Sequence, residues 1–163
     1  MKTESHIIEF SNEIDINLAV ALGNMVVAFG RLEDMLKVVI KRVEKKDSLK
    51  EVIDRFSGLD GTIGKLKSYC ETHKILPKPF YAKLDELNKS RQDFVHATIA
   101  LTEDGKYIRF RKLNGYADLT KDIADIEKIS KEVNGIIIDL DRTTGQQAGA
   151  SDDKNIIVTV SAA

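Results

Sequence analysis

The sequence predicts a mainly α protein, an up-and-down helical bundle of about four to five helices with a small β-hairpin after the helix that carries Arg91. Three observations predict it. Apolar residues recur at steps of three and four through residues 18–43, 80–95 and 123–140, the period of helices with one buried stripe. Asp104-Gly105 separates two alternating segments, the pattern of a two-residue hairpin turn. The 163 residues are 42% hydrophobic and 31% charged, which suits one domain with a continuous core.

Taken in order, residues 1–11 are polar and predicted to be frayed, residues 12–142 form a single helical domain, and residues 143–163 form a disordered tail because residues 143–155 are polar and rich in Gly and Ala. The first helix runs to about Lys46, with Leu18, Leu22, Met25, Phe29, Leu32, Leu36, Val39 and Val43 as its seam. Val20, Val26, Val27, Met35 and Ile40 widen its apolar surface, which predicts several neighbours or a subunit interface. Gly23 and Gly30 each cost about 1 kcal/mol relative to Ala. Their spacing of seven places both near one face and predicts close approach of another helix. Asp47 or Ser48 caps the next, short helix, with Ser48 and Glu51 spaced as a capping box ahead of Val52, Ile53 and Phe56, and Gly58 stops it. Asp60 is positioned to cap the next, with Ile63, Leu66, Cys70 and His73 at helical spacing.

Pro77 and Pro79 mark the start of the helix containing Phe80, Leu84, Leu87, Phe94 and Val95. Thr120 is placed to cap the last helix, buried through Ile123, Ile126, Ile129, Val133, Ile136 and Leu140. Ile156-Ile157-Val158-Thr159-Val160 can be a strand only where a sheet edge is available.

Charge and motif content exclude several classes. With 25 basic against 26 acidic residues, affinity for a polyanion must be local. The single Cys70 excludes an intramolecular disulfide framework and suits a reducing cytosol. No apolar run approaches the length of a membrane span, and the segment Met1-Lys2-Thr3-Glu4-Ser5-His6 lacks signal-peptide features; a cytoplasmic protein without membrane contact is expected. His6, His73, His96 and Cys70 have no metal-ligand spacing, so no metal and no cofactor is expected. A P-loop, a dinucleotide-binding glycine fingerprint and a nucleophile elbow are all missing from the sequence.

One polar stretch interrupts the apolar pattern: Asn88-Lys89-Ser90-Arg91-Gln92-Asp93-Phe94-Val95-His96. On an ideal helix Arg91 and His96 point about 140° apart with about 7.5 Å of rise, so the long arginine can curl back until both border one groove. Arginine supplies a fixed fork of donors for phosphate oxygens, and histidine moves a proton near neutral pH. Arg91 lies in register between Leu87 and Phe94 and points toward the packed side. A buried unpaired charge is expensive, so it requires an acidic partner such as Glu33, Asp34 or Asp93, an anionic ligand, or a cleft. Beyond the motif, Lys106 pairs with Glu103 across the expected turn, and Tyr107, Arg109 and Arg111 share one strand face. An aromatic ring among cations is a surface for single-stranded RNA, with Lys106, Tyr107, Arg109 and Arg111 as its contacts; the alternative is a solvated face with charges that protect a sheet edge.

The spacing of Arg91 and His96 near the end of a core helix resembles the signature of HEPN domains, in which four to six residues separate the two. Phe29-Gly30-Arg31-Leu32-Glu33-Asp34-Met35-Leu36 resembles the aromatic-x-x-Leu-Glu-x-x-Leu run of that family's early helix. The resemblance covers roughly residues 10–142 and implies a dimeric helical bundle acting as a metal-independent endoribonuclease that leaves 2′,3′-cyclic phosphate and 5′-OH ends, in a toxin or antiviral defence role. It implies that His96 is the general acid or base and Arg91 the phosphate holder, with Asn88, Gln92, Asp93 and Glu33 in support. The implied partners are RNA, a second copy of the chain, and an antitoxin or regulatory protein. Gln92 stands where the family commonly has Asn, and Thr98 stands where some toxin members have Tyr. The alternative within the resemblance is a non-catalytic helical module that binds RNA, a nucleotide or a protein.

Overall fold

A computed structural model of the chain describes residues 7–10, 16–95, 98–102, 107–113, 116–121 and 123–148, with side chains described for 16–94 and 123–145. The chain is mainly α. In order it forms β1 (Ile7–Phe10), α1 (Ile16–Glu44), α2 (Leu49–Arg55), a 3₁₀ turn (Gly58–Gly61), α3 (Ile63–Thr72), α4 (Lys78–Val95), β2 (Thr98–Thr102), β3 (Tyr107–Leu113), β4 (Tyr116–Lys121) and α5 (Ile123–Ala148).

The core is built on α1. Leu18, Met25, Phe29, Leu32, Leu36, Val39 and Ile40 are buried along it and meet Ile126, Val133, Ile136 and Leu140 of α5 within one apolar cluster. Burying each such side chain fully contributes about 1.5–3 kcal/mol, so this seam outweighs any single polar contact in the fold. The two long helices run in the same direction. Asn24 and Arg31 border one cleft with Glu127 and Asn134, while Arg42 further along α1 bonds Asp141 at 2.7 Å and the Thr144 hydroxyl at 3.2 Å. Two helices of like direction need the intervening chain to return, and α2, α3 and α4 supply that return and pack against the seam.

Local chemistry sets the short elements. Ser48 caps α2 through a capping box: its hydroxyl accepts from the Glu51 N–H at 3.2 Å and its own N–H donates to the Glu51 carboxylate at 2.7 Å. Asp60 does not cap α3, because it lies inside the 3₁₀ turn; Thr62 is the N-cap residue and makes no side-chain capping bond. A Cβ on Gly61 would collide with the Phe56 carbonyl oxygen, so only glycine lets that turn close. Between α3 and α4 the Tyr81 hydroxyl donates to the Cys70 carbonyl at 2.8 Å and accepts from the Leu76 N–H at 3.0 Å. Cys70 itself is buried, and burial pushes its thiol pKa up to about 12, so it packs as an unreactive apolar residue.

Several expectations are corrected. Where a small β-hairpin was expected, the chain has a four-stranded antiparallel sheet in the order β1-β2-β3-β4, with β2 and β3 as its central pair. β1 falls in the stretch expected to be frayed, and its four residues are too few for alternation to be read. Asn114-Gly115 stands between β3 and β4 in the sequence and is a strong hairpin signal, so β4 was legible. Thr120 lies in β4 and does not cap α5. The tail does not begin at residue 143, since α5 continues to Ala148. Thr144 holds the extra turn: it is 1% exposed, and its hydroxyl donates to the Leu140 carbonyl at 2.7 Å while accepting from Arg42. Residues 149–163, including the possible strand at 156–160, lie outside the described residues.

Two corrections concern α1. By length and composition it is long and apolar enough to cross a membrane, contrary to expectation, and 33% of its most apolar window is buried in the bundle. Core helices pass the same test. No described residue approaches Gly23 or Gly30, where an added Cβ would meet nothing within 4 Å. Ile16, Val20, Val26 and Val27 around them are 54% to 74% exposed.

Backbone conformation gives a first prediction. Lys74 follows α3 with φ of 52°, a left-handed conformation that costs a side-chain-bearing residue roughly 1–2 kcal/mol. Lys74→Gly should raise stability by about 0.5–1 kcal/mol after glycine's own entropy cost, whereas Ser48→Ala should lower it by about 1 kcal/mol. Urea midpoints of the two variants moving in the same direction would contradict these local accounts.

Candidate functional site

Arg91 reaches its position through the packing of α4. Leu84, Leu87 and Phe94 are buried on that helix, and the stripe they define carries the stem of Arg91 inward toward α1. Its Nη1 donates to Glu33 Oε1 at 3.0 Å, and the guanidinium lies 5.9 Å from the centroid of the Phe29 ring. The Arg91 side chain is 34% exposed and that of Glu33 21%. Such a pair contributes on the order of 1 kcal/mol at most, so its main effect is geometric: it fixes one edge of the fork. A guanidinium has five N–H donors, so the exposed part of the head can still meet an anion. Asp34, the alternative acidic partner, instead pairs with Lys37 at 3.1 Å.

The other expected site residues separate. Asn88 is half-buried and faces α3, its amide nitrogen lying 3.5 Å from where a Cβ on Gly64 would stand. Gln92 is exposed and Asp93 half-buried. His96 and Lys106 lie outside the described residues. Tyr107, Arg109 and Arg111 occupy β3, with Arg109 opposite Ile99 and Lys121, and Arg111 opposite Leu119. β3 is paired on both sides, so charges there do not protect an edge. Among the described residues no group of His, Cys, Asp or Glu is arranged to hold a metal ion.

The surface beside Glu33 is distinctive. Residues 16–30 of α1 contain no charged side chain, and Ile16, Val20, Val26 and Val27 stand out to solvent. Positions seven apart on a helix differ by about 20°, so Ala19, Val26 and Glu33 form one row. The uncharged face therefore runs directly into the carboxylate that holds Arg91.

A second constellation was missed by sequence reasoning. The Tyr69 hydroxyl donates to Glu44 Oε1, while Arg55 donates to Glu44 Oε2 at 2.9 Å, to the Tyr69 hydroxyl at 3.2 Å and to Asp47 at 3.1 Å. The Arg55 guanidinium lies 5.1 Å from the Phe56 ring centroid and 5.4 Å from that of Tyr69. Tyr69 in turn meets Phe56 edge-on at 4.9 Å and His73 at 4.2 Å. Burial acts to raise the Glu44 pKa, but the bonds from Tyr69 and Arg55 outweigh it and the net direction is down. Burial and then the Glu44 carboxylate push the Tyr69 hydroxyl up. These residues come from three helices at irregular spacing, and no sequence signal joins them.

Compared with protein-family models, curated proteins and solved structures, the chain matches none.

The Glu44 cluster generates a pH prediction. A carboxylate whose folded pKa lies below its ordinary value of 4.5 stabilises the fold above that value, and the contribution is lost as pH falls through the folded pKa. Glu44→Gln should lower stability at neutral pH and flatten the fall of the urea midpoint as pH drops below the ordinary carboxylate value of 4.5. A variant whose acid limb parallels that of the wild type would contradict the ionised Glu44.

Proposed function

We propose that the chain is a HEPN-type, metal-independent endoribonuclease acting as a homodimer. The observation that carries this is the state of Arg91: Nη1 is fixed by Glu33, the side chain is 34% exposed, and it stands near the end of a helix that leads within five residues of sequence to His96. A fixed, half-exposed guanidinium is pre-organised for a phosphate, because its orientation is settled before the anion arrives.

In this reading Arg91 holds the scissile phosphate and neutralises charge as it builds. His96 takes the proton from the ribose 2′-OH; the 2′-oxygen bonds to phosphorus, the bond to the 5′-oxygen breaks, and that oxygen receives a proton as it leaves. One histidine serves as base and the other as acid when two copies share a cleft. The uncharged face of α1 supports such pairing, since it offers no charge to a dissimilar partner and ends at Glu33. A copy docked there brings its own Arg91 near the first. Tyr107, Arg109 and Arg111 of β3 extend the same reading as strand-borne contacts for the flanking RNA.

A second reading has one specific observation in its favour: Glu33 already neutralises Arg91. If that pair is the arginine's whole purpose, the chain is a non-catalytic helical module that binds RNA or a protein partner. One assay separates the two. Purified protein incubated with single-stranded RNA in EDTA should generate 2′,3′-cyclic phosphate ends, and Arg91→Ala and His96→Ala should each reduce the rate by about 10² or more. Val20→Asp with Val27→Asp, both at exposed positions, should leave the melt unchanged, convert the dimer to a monomer in sedimentation and abolish cleavage. A wild-type protein that is dimeric yet inert on several RNAs would overturn the nuclease reading in favour of the module.

A further inference from the structure

We infer that the open cleft between α2 and α3 binds a monophosphate that carries a planar ring, at a site separate from Arg91. Glu33 and Glu44 stand eleven residues apart on α1, about 16 Å along its axis, so the inference stands whether or not Arg91 acts on RNA. The cleft measures ≈ 440 Å³, within the range of small-ligand sites and large enough for a mononucleotide.

Its chemistry divides into two parts. On one side Phe56, Tyr69 and His73 form a continuous series of ring contacts. Tyr69 is held in place by Glu44 and Arg55, and His73 ends the series with its side chain exposed. A planar ring placed on the outer face of His73 would extend the series by one member, and ring stacking of this kind is insensitive to the ring's identity. Lys65 and Ser68 of α3 line the same cleft; Ser68 and Tyr69 follow Lys65 at helical offsets of three and four, and Lys65 and Ser68 are exposed. Lys65 forms no ion pair with the described residues, whereas the neighbouring Lys67 is taken by Glu71 and Asp85. An ammonium and a hydroxyl one turn apart suit the oxygens of one phosphate.

Arg55 contributes in a different way. Its bonds to Glu44 and Asp47 fix it beside the Phe56 and Tyr69 rings, so it holds the aromatic wall rigid while those two carboxylates balance its charge. Asp60 on the rim disfavours polyphosphates, so monophosphates should bind more tightly. The ligand can be a free mononucleotide or the phosphorylated end of an RNA strand, since both present the same ring and phosphate.

The test uses calorimetric titration of the full chain with AMP, adenosine, ribose 5-phosphate and a 5′-phosphorylated oligoribonucleotide. AMP should bind saturably, and adenosine and ribose 5-phosphate each about tenfold more weakly, because stacking and phosphate contact are each worth about that factor. His73→Ala should reduce AMP binding to the level of ribose 5-phosphate without changing ribose 5-phosphate itself. Lys65→Ala should reduce AMP binding to the level of adenosine without changing adenosine. Both positions are exposed, so the variants should fold. Oligonucleotide binding at least as tight as AMP, weakened by the same substitutions, identifies an RNA end; exclusion of the oligonucleotide identifies the free nucleotide. No saturable AMP binding at millimolar concentration, or AMP binding unchanged in both variants, would overturn the inference.

Discussion

Burial of the α1 seam against α5 is the constraint on which the rest of the molecule depends. α1 is the one helix that meets α2, α3 and α5 along its length, and its direction, fixed by the seam, decides which residues its other faces present. Glu33 and Glu44 illustrate the consequence. Eleven residues advance about 1100°, so the two carboxylates lie within about 20° of one row. One edge of the central helix therefore delivers two acidic anchors, the first to Arg91 of α4 and the second to Arg55 and Tyr69 of α2 and α3. Neither anchor stabilises the fold greatly by itself, because partly exposed pairs contribute little. Their effect is to hold cationic and aromatic heads in defined places at the surface.

The same helix explains the exposed apolar face. A seam of steps of three and four accounts for Leu18, Met25, Phe29, Leu32 and Leu36, all buried. It leaves Val20, Val26 and Val27 exposed, with no packing role among the described residues. In a soluble helix the outward face ordinarily carries charge, and residues 16–30 carry none. The two glycines on that face meet nothing within 4 Å of an added Cβ, so their cost of about 1 kcal/mol each has no return among the described residues. A face of this composition beside Glu33 is the ground on which a second copy is proposed next to Arg91.

How much of this was legible in the sequence follows from the range of each signal. The mainly α class, the long first helix and the Ser48–Glu51 capping box rest on contacts between near neighbours in the chain, where periodicity and capping chemistry operate. Register placed Arg91 on the packed side of α4, and the three carboxylates considered for it were distinguishable only once α1 and α4 were set side by side. β1 was missed because Ile7–Phe10 pairs with a strand some ninety residues away, beyond any local pattern, whereas β4 had the local Asn114-Gly115 signal. The end of α5 was misplaced because Thr143, Thr144 and Gly145 resemble a loop by composition. Thr144 stays helical through a contact with Arg42, a residue 102 positions distant. The Glu44–Arg55–Tyr69 cluster was illegible for the same reason.

The central claim is that Glu33 fixes Arg91 so that its free edge can take a phosphate. NMR of the arginine side-chain N–H groups in the full chain tests it most directly, with Arg91 assigned by the signal lost in Arg91→Lys. A 2′-deoxy oligonucleotide provides the phosphate without a nucleophile, so binding is observed apart from cleavage. The account predicts that Arg91 N–H groups exchange slowly in the free protein, faster in Glu33→Gln, and shift in a saturable way as the oligonucleotide is added. Arg91 signals that do not shift while the oligonucleotide binds elsewhere on the chain would contradict it.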